Sequence, residues 1–199
     1  MVKQERAART RVALVRAAAK EVDLRGYERT TLARICEAAD ISMGALTFHF
    51  KTKRDLAQEV QVQGGELTAR LVARHTGGQD SPLGAVGDIV VGLARLLEEE
   101  VLVRSAARLA RELPDAALVW ASSWRPQVDE FLARARQAGE LRPSAQPAAV
   151  GALLASLLAG LELTIRERAL APGGGTDNAE VTSRRLWALV LEGIAAEGA

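Results

Sequence analysis

The sequence predicts an all-α fold of nine to ten helices. Apolar residues recur at spacings of three and four along nearly the whole chain, and no segment alternates as a half-buried strand does. Glycine and proline stops, among them Gly26, Pro114, Gly139 and Pro143, punctuate the periodic stretches. A chain of 199 residues can bury one good core, or a small domain beside a larger one.

Taken in order, residues 9–25 form a first helix with Val12, Val15 and Val22 among alanines and Gly26 as its stop. Short helices follow over about 31–38 and 42–48. Leu32, Ile35 and Ala39 share one face of the former; Leu46 and Phe50 share one face of the latter. Asp40 sits at the break between them, and Asp is one of the few residues besides glycine that tolerates a left-handed backbone. Thr52 starts a long fourth helix to about His75, with Asp55 placed to complete a capping box. Gly77-Gly78-Gln79-Asp80 reads as a loop. Ser81-Pro82 opens a fifth helix to about Glu100, proline being tolerated in a first turn. A sixth spans about 102–111. A seventh runs from about Asp115 to Ala138, with Pro126 expected to kink or split it near Trp124. An eighth covers about 146–169, Pro172-Gly-Gly-Gly175 reads as a link, and a ninth covers about 178–196.

Charge divides the chain unevenly. Residues 1–54 carry 12 Lys/Arg against 6 Asp/Glu, a net +6, and the remaining 145 carry 14 against 19, a net −5. A basic head on an acidic body is the electrostatic footprint of a nucleic-acid-binding segment joined to one that does not bind it. The domain boundaries are therefore expected at 1–54 and 55–199. Within the head, residues 30–54 read as a helix-turn-helix: Ser42 can cap the second helix, whose outward face is small and polar enough to enter a major groove.

The string Arg25-Gly26-Tyr27-Glu28-Arg29-Thr30-Thr31, followed by Gly44-Ala45-Leu46, Phe48-His49-Phe50 and Lys51, resembles the N-terminal domain of the TetR family of dimeric repressors. The local pattern is most similar to the branch containing the γ-butyrolactone receptors. Asp40 stands where the family has a turn glycine, Met43 where it often has lysine, and Thr47 where it has tyrosine. The resemblance implies that Thr30 and Thr31 bond phosphate at the start of the helix crossing the DNA backbone. Ser42, Met43, Gly44 and Thr47 would face base edges, with Met43 able to touch a thymine methyl but unable to read guanine as lysine does. Arg9, His49, Lys51 and Lys53 fit phosphate contacts. Phe48 packs on a DNA sugar or on the first helix. The binding target is then a double-stranded palindromic operator.

In the eighth helix, Gly151, Ala155 and Ala159 recur every four residues, and in the ninth Val181, Leu186, Leu189, Val190 and Ile194 form an apolar stripe. One reading is a hairpin buried within one chain. The preferred reading is a four-helix bundle of a homodimer, whose two-fold symmetry matches a palindrome. Trp120 and Trp124 lie one turn apart, and Trp124 matches a tryptophan that lines the effector cavity in the resembling branch; core packing is the alternative. Gln127, Val90, Leu93, Glu162 and Thr164 complete the candidate cavity for a small-molecule effector, with an interface salt bridge as the alternative for Glu162.

The lone Cys36 excludes a disulfide framework or a cysteine-based zinc site within one chain and is expected to behave as a small, part-buried hydrophobe. No nucleophile–base arrangement, phosphate loop or metal-ligand spacing is present, so no enzyme activity and no cofactor is expected. The run Ala148 to Leu161 is expected to be too short for a bilayer, which needs about 20 residues, and a cytoplasmic protein without membrane association follows. The functional expectation is an effector-responsive repressor answering a γ-butyrolactone-like signal. A regulator of an efflux or catabolic gene with a drug-like or lipid ligand, an effector-blind pseudo-receptor, and a helical carrier or enzyme are the competing readings.

Overall fold

The computed structural model describes residues 2–75, 81–113, 120–170 and 178–196. Among them lie nine helices: α1 (Val2–Arg25), α2 (Leu32–Ala39), α3 (Met43–His49), α4 (Lys53–Ala73), α5 (Pro82–Glu99), α6 (Val101–Glu112), α7 (Arg125–Gln137), α8 (Pro147–Leu170) and α9 (Ala179–Ile194). The all-α expectation holds. The loop expected at 77–80, the start expected at Asp115 and the link expected at 172–175 lie outside the described residues.

Local chemistry sets the ends of these helices. Gly26 adopts φ 83°, which an L side chain rarely does, and its carbonyl accepts the Thr30 hydroxyl at 2.7 Å. Asp40 ends α2 in the left-handed region at φ 53° and ψ 46°. Ser42 Oγ accepts from the Ala45 backbone N–H. Thr52 and Asp55 cap reciprocally: Thr52 Oγ1 accepts from the Asp55 N–H at 3.1 Å, and Asp55 Oδ2 from the Thr52 N–H at 2.9 Å. Asn178 Oδ1 caps α9 through the Val181 N–H at 2.8 Å.

Two corrections follow. The first helix begins at Val2 rather than near residue 9. Pro126 does not kink a long seventh helix. A turn at residues 122–124 separates residues 120–121 from α7, which starts at Arg125 with Pro126 in its first turn, where the missing N–H costs nothing. One isolated antiparallel bridge, Leu141 to Ala195, is an extended contact that helical periodicity could not announce.

The chain divides into two compact units, Met1–Glu66 with Glu100–Ala121, and Leu67–Glu99 with Ser122–Ala199. This cut is not the functional one expected at residue 54. The first unit takes α6 back against α1: Arg104 pairs with Asp23 at 2.8 Å, Arg108 donates to the Asp23 carbonyl at 2.7 Å, and the buried Ser105 hydroxyl donates to the Ala19 carbonyl at 2.6 Å. In the same unit Arg11 pairs with Glu59 at 2.6 Å and lies 4.7 Å over the Phe50 ring. Cys36 is buried, and desolvation pushes its thiol pKa up, so the unreactive thiolate-poor form prevails at neutral pH.

In the second unit α5 packs against α7, α8 and α9. α8 turns Val150, Leu154, Leu158, Leu161 and Ile165 inward. Its stretch Pro147–Arg168 has mean hydropathy 1.9 and 22 residues, long and apolar enough by that measure to cross a bilayer, with 39% of the tested window buried. The expectation of a run too short to span is corrected to that extent. The same stretch carries Glu162 and Arg166, 3.8 Å apart, the carboxylate almost wholly buried.

Two glycines separate space from its absence. A Cβ on Gly64 would stand 2.6 Å from both the Leu102 carbonyl oxygen and the Ala106 methyl, whereas one on Gly44 would meet nothing within 4 Å. Gly64→Ala should lower the denaturation midpoint, costing about 1–3 kcal/mol by overpacking. Gly44→Ala should be neutral or raise stability by up to about 1 kcal/mol through helix propensity. Chemical denaturation of the two variants in parallel checks the pair; equal effects would contradict the close approach at Gly64.

Candidate nucleic-acid interface

The second helix of the helix-turn-helix is held from one side only. Leu46 and Phe50 are buried, while Ser42, Met43, Gly44, Thr47 and Phe48 are exposed. Met43 is 43% exposed and Phe48 76% exposed, so α3 presents two large apolar groups to solvent. Phe48 therefore does not pack on α1; its ring stands edge-on to His49 with centroids 5.2 Å apart. The Thr47 hydroxyl donates to the Gly44 carbonyl at 3.1 Å, which leaves its methyl and its lone pairs outward. No cation lies on this face: the half-buried His49 ends α3 and Lys51 follows it.

The flanking cations divide into available and engaged. Arg9 and Lys51 are exposed, as are Arg16, Lys20 and Arg29. Thr31 is exposed and caps α2 by accepting from the Arg34 N–H at 3.3 Å. Two residues expected at phosphate have partners within the chain. Thr30 is 1% exposed and its hydroxyl donates to the Gly26 carbonyl, so it holds the turn. Lys53 is half-buried, donates to the Tyr27 carbonyl at 3.0 Å and lies 4.1 Å over the Tyr27 ring, so it fastens α4 to the turn before α2. Arg34, exposed one turn into α2 beside Thr31, is a further available cation that the sequence reading omitted; a cation three residues after a cap threonine was the signal available.

Two of the seven residues expected to line an effector cavity share a cleft. Trp124 and Gln127 line a cleft of about 270 Å³ with Ala69, Val72, Ala73, Ser122, Ser123 and Pro126. Val90 and Leu93 are wholly buried core residues of α5. Trp120 belongs to the first compact unit and Trp124 to the second. Glu162 is buried with its carboxylate 3.8 Å from Arg166 of the same helix, and the Thr164 hydroxyl donates to the Gly160 carbonyl of its own helix.

Of the expected interface residues, Gly151 faces inward: a Cβ there would stand 2.7 Å from Asp129 Oδ1 and 2.8 Å from Arg125 Nη2, on α7. Ala155, Ala159, Leu186 and Val190 are half-buried and Val181 is exposed. The uncovered apolar side of α8 runs instead through Leu153, Gly160 and Leu163, and that of α9 through Val181 and Leu189, the last 63% exposed.

Among the described residues no group of three His, Cys, Asp or Glu is placed to hold a metal ion.

Comparison with known proteins follows the same division of the chain. A family model described as bacterial regulatory proteins, tetR family, matches residues 14–60. The A-factor receptor protein of Streptomyces griseus is 30% identical over 166 residues, which are 82% of this chain and 57% of that protein. The transcriptional regulator TtgR of Pseudomonas putida is 34% identical over 90 residues, 44% of this chain and 42% of that protein. The chain thus spans about half the length of the curated relatives it matches. The crystal structure of a γ-butyrolactone receptor, an ArpA-like protein, superposes with TM-score 0.75 at 28% identity, covering 96% of this chain and 91% of that one. TylP, a TetR regulator from Streptomyces fradiae, is 31% identical with TM-score 0.57, covering 98% of this chain and 83% of that one. With the head matched by the family model and the whole length matched by a full-length TetR regulator, the chain belongs to the TetR family and resembles its γ-butyrolactone receptor branch.

Proposed function

We propose that this protein is a homodimeric, DNA-binding transcriptional repressor that releases a palindromic operator when it binds a small signalling molecule of the γ-butyrolactone type. The single observation that carries the DNA-binding part is the outward surface of α3, capped by Ser42 and built of Met43, Gly44, Thr47 and Phe48, with none of the described residues within 4 Å of a Cβ at Gly44. The effector class is supported by likeness to the γ-butyrolactone receptor and the A-factor receptor protein. Arg9, Thr31, Arg34 and Lys51 supply the phosphate contacts that fix the register. The dimer is supported by the exposed apolar stripe of α8 and α9, because a seven-residue reading helix needs a second half-site for useful specificity.

Effector and operator communicate through α4 in this reading. Its last turns supply Ala69, Val72 and Ala73 to the cleft that Trp124 and Gln127 wall, and its first turn carries Lys53, bonded to the Tyr27 carbonyl ahead of α2. A ligand that binds better to a conformer with wider-spaced reading heads draws the population away from DNA. Moving from 1:99 to 99:1 takes about 5.5 kcal/mol of differential affinity.

The apolar groups on α3 specify what is read. A surface with Met43 and Phe48 and no Arg or Lys recognises thymine methyls better than guanine edges. Replacing operator thymines by uracil, one position at a time, should weaken binding about fourfold for each methyl in contact, the equivalent of about 0.8 kcal/mol. Met43→Ala should remove that sensitivity at one position per half-site. Mobility shifts check this, and affinity indifferent to uracil at every thymine would contradict it.

Trp124 is too deeply buried for truncation to isolate its role, so the informative change is conservative. Trp124→Phe should raise the concentration of an alkyl-substituted γ-butyrolactone needed for operator release at least roughly tenfold, about 1.4 kcal/mol, with operator affinity itself unchanged within a few-fold. A release curve identical to that of the unaltered protein would remove Trp124 from the effector site.

A further inference from the structure

A second cavity lies apart from the Trp124 cleft. It measures about 580 Å³ and is lined by Ser81, Leu83, Gly84, Glu140, Trp187, Leu191, Glu192 and Ala195, at the start of α5 and the end of α9. That volume falls in the range of about 300–1,000 Å³ usual for small-molecule sites.

Its frame is fixed by backbone. Glu140 Oε2 accepts from the Ser81 hydroxyl at 3.0 Å and from the Leu83 N–H at 2.7 Å, tying the end of α7 to the start of α5. The Glu140 carbonyl accepts from the Ala196 N–H at 2.9 Å, and the Ile194 carbonyl from the Arg142 N–H at 2.8 Å, on either side of the Leu141–Ala195 bridge. Trp187 is seated against Gly87, where any Cβ would collide with the indole. A cavity framed on three sides in this way is preformed, so a ligand entering it spends little on ordering the site.

Its chemistry is one-signed. The walls are the Trp187 side chain, Leu83, Leu191 and Ala195, and among the described residues that line it the charged side chains are the carboxylates of Glu140 and Glu192, with no Lys, Arg or His. Both side-chain bonds to Glu140 fall on Oε2, so Oε1 takes no part in them. The neighbouring cation, Arg142, donates through Nε to the Ala195 carbonyl at 2.7 Å. Apolar walls select an apolar body, and two carboxylates select a positive charge.

We propose that this cavity, formed by Glu140, Trp187 and Glu192, is a second ligand site, distinct from the Trp124 cleft, for a small apolar cation. Neither the family likeness nor the proposed effector requires it, and it stands or falls independently of DNA binding.

Tetraphenylphosphonium and tetraphenylborate, nearly equal in size and opposite in charge, provide the test on the full-length protein. Calorimetry should show the cation binding at least roughly tenfold tighter than the anion, with tryptophan emission changing on binding and that change lost in Trp187→Phe. Glu192→Gln, an exposed substitution that leaves the fold alone, should weaken the cation several-fold, and Glu140→Gln combined with it should erase the preference for positive charge. Equal affinity for the two ions overturns the proposal. Cation binding that survives Glu192→Gln unchanged, or that is abolished by Trp124→Phe instead, places the ligand elsewhere and overturns it as well.

Discussion

A helix of seven residues does not persist alone in water, where about 12–15 residues are already marginal, so α3 exists through what holds its inner side. Leu46 and Phe50 are buried there, each contributing about 1.5–3 kcal/mol, and Ser42 satisfies an N-terminal amide that would otherwise be orphaned. The ring of Phe50 is in turn covered by Arg11, which is fixed by Glu59, so α1 and α4 grip the end of α3 together. All of this support comes from one side. The other side is left with Met43, Gly44, Thr47 and Phe48 in solvent, two large apolar groups among small and polar ones.

The same economy explains the turn before α2. Gly26 in a left-handed conformation, Thr30 bonded to its carbonyl, and Lys53 bonded to Tyr27 form a small closed network. Glu112 adds to it by accepting the Tyr27 N–H at 2.6 Å while pairing with Arg108. Residues that the family pattern marks as characteristic therefore serve different ends: Gly26, Thr30 and Lys53 hold the head in shape, while Ser42, Gly44 and Thr47 present a surface.

How much of this was legible in the sequence depended on whether the signal was local. Helix periods, Gly26, the Asp40 turn and the caps at Ser42 and Thr52 are written within a few residues and were readable. The outward set on α3 was readable too, because two buried positions fix the phase of so short a helix. Partnerships at long separation were not. Nothing near Thr30 or Lys53 in sequence distinguishes a hydroxyl or ammonium spent internally from one offered to phosphate. Gly151 looked like a contact for another helix because small residues every four positions do not say which neighbour they admit; here the neighbour is the Arg125–Asp129 pair. The cavity at Trp187 was hidden for the same reason, since Ser81, Glu140 and Glu192 meet only after folding.

The central claim is that α3 reads DNA and that two copies do so together. Selection from a random duplex library, run in parallel with the unaltered protein and with Gly44→Leu, tests it most directly. Among the described residues nothing lies within 4 Å of a Cβ at Gly44, so the variant is expected to keep its structure while losing close approach to a groove. The account predicts that the unaltered protein enriches an inverted repeat and that Gly44→Leu enriches nothing above background. Failure of the unaltered protein to enrich any sequence, or recovery of the same repeat by Gly44→Leu, would contradict it.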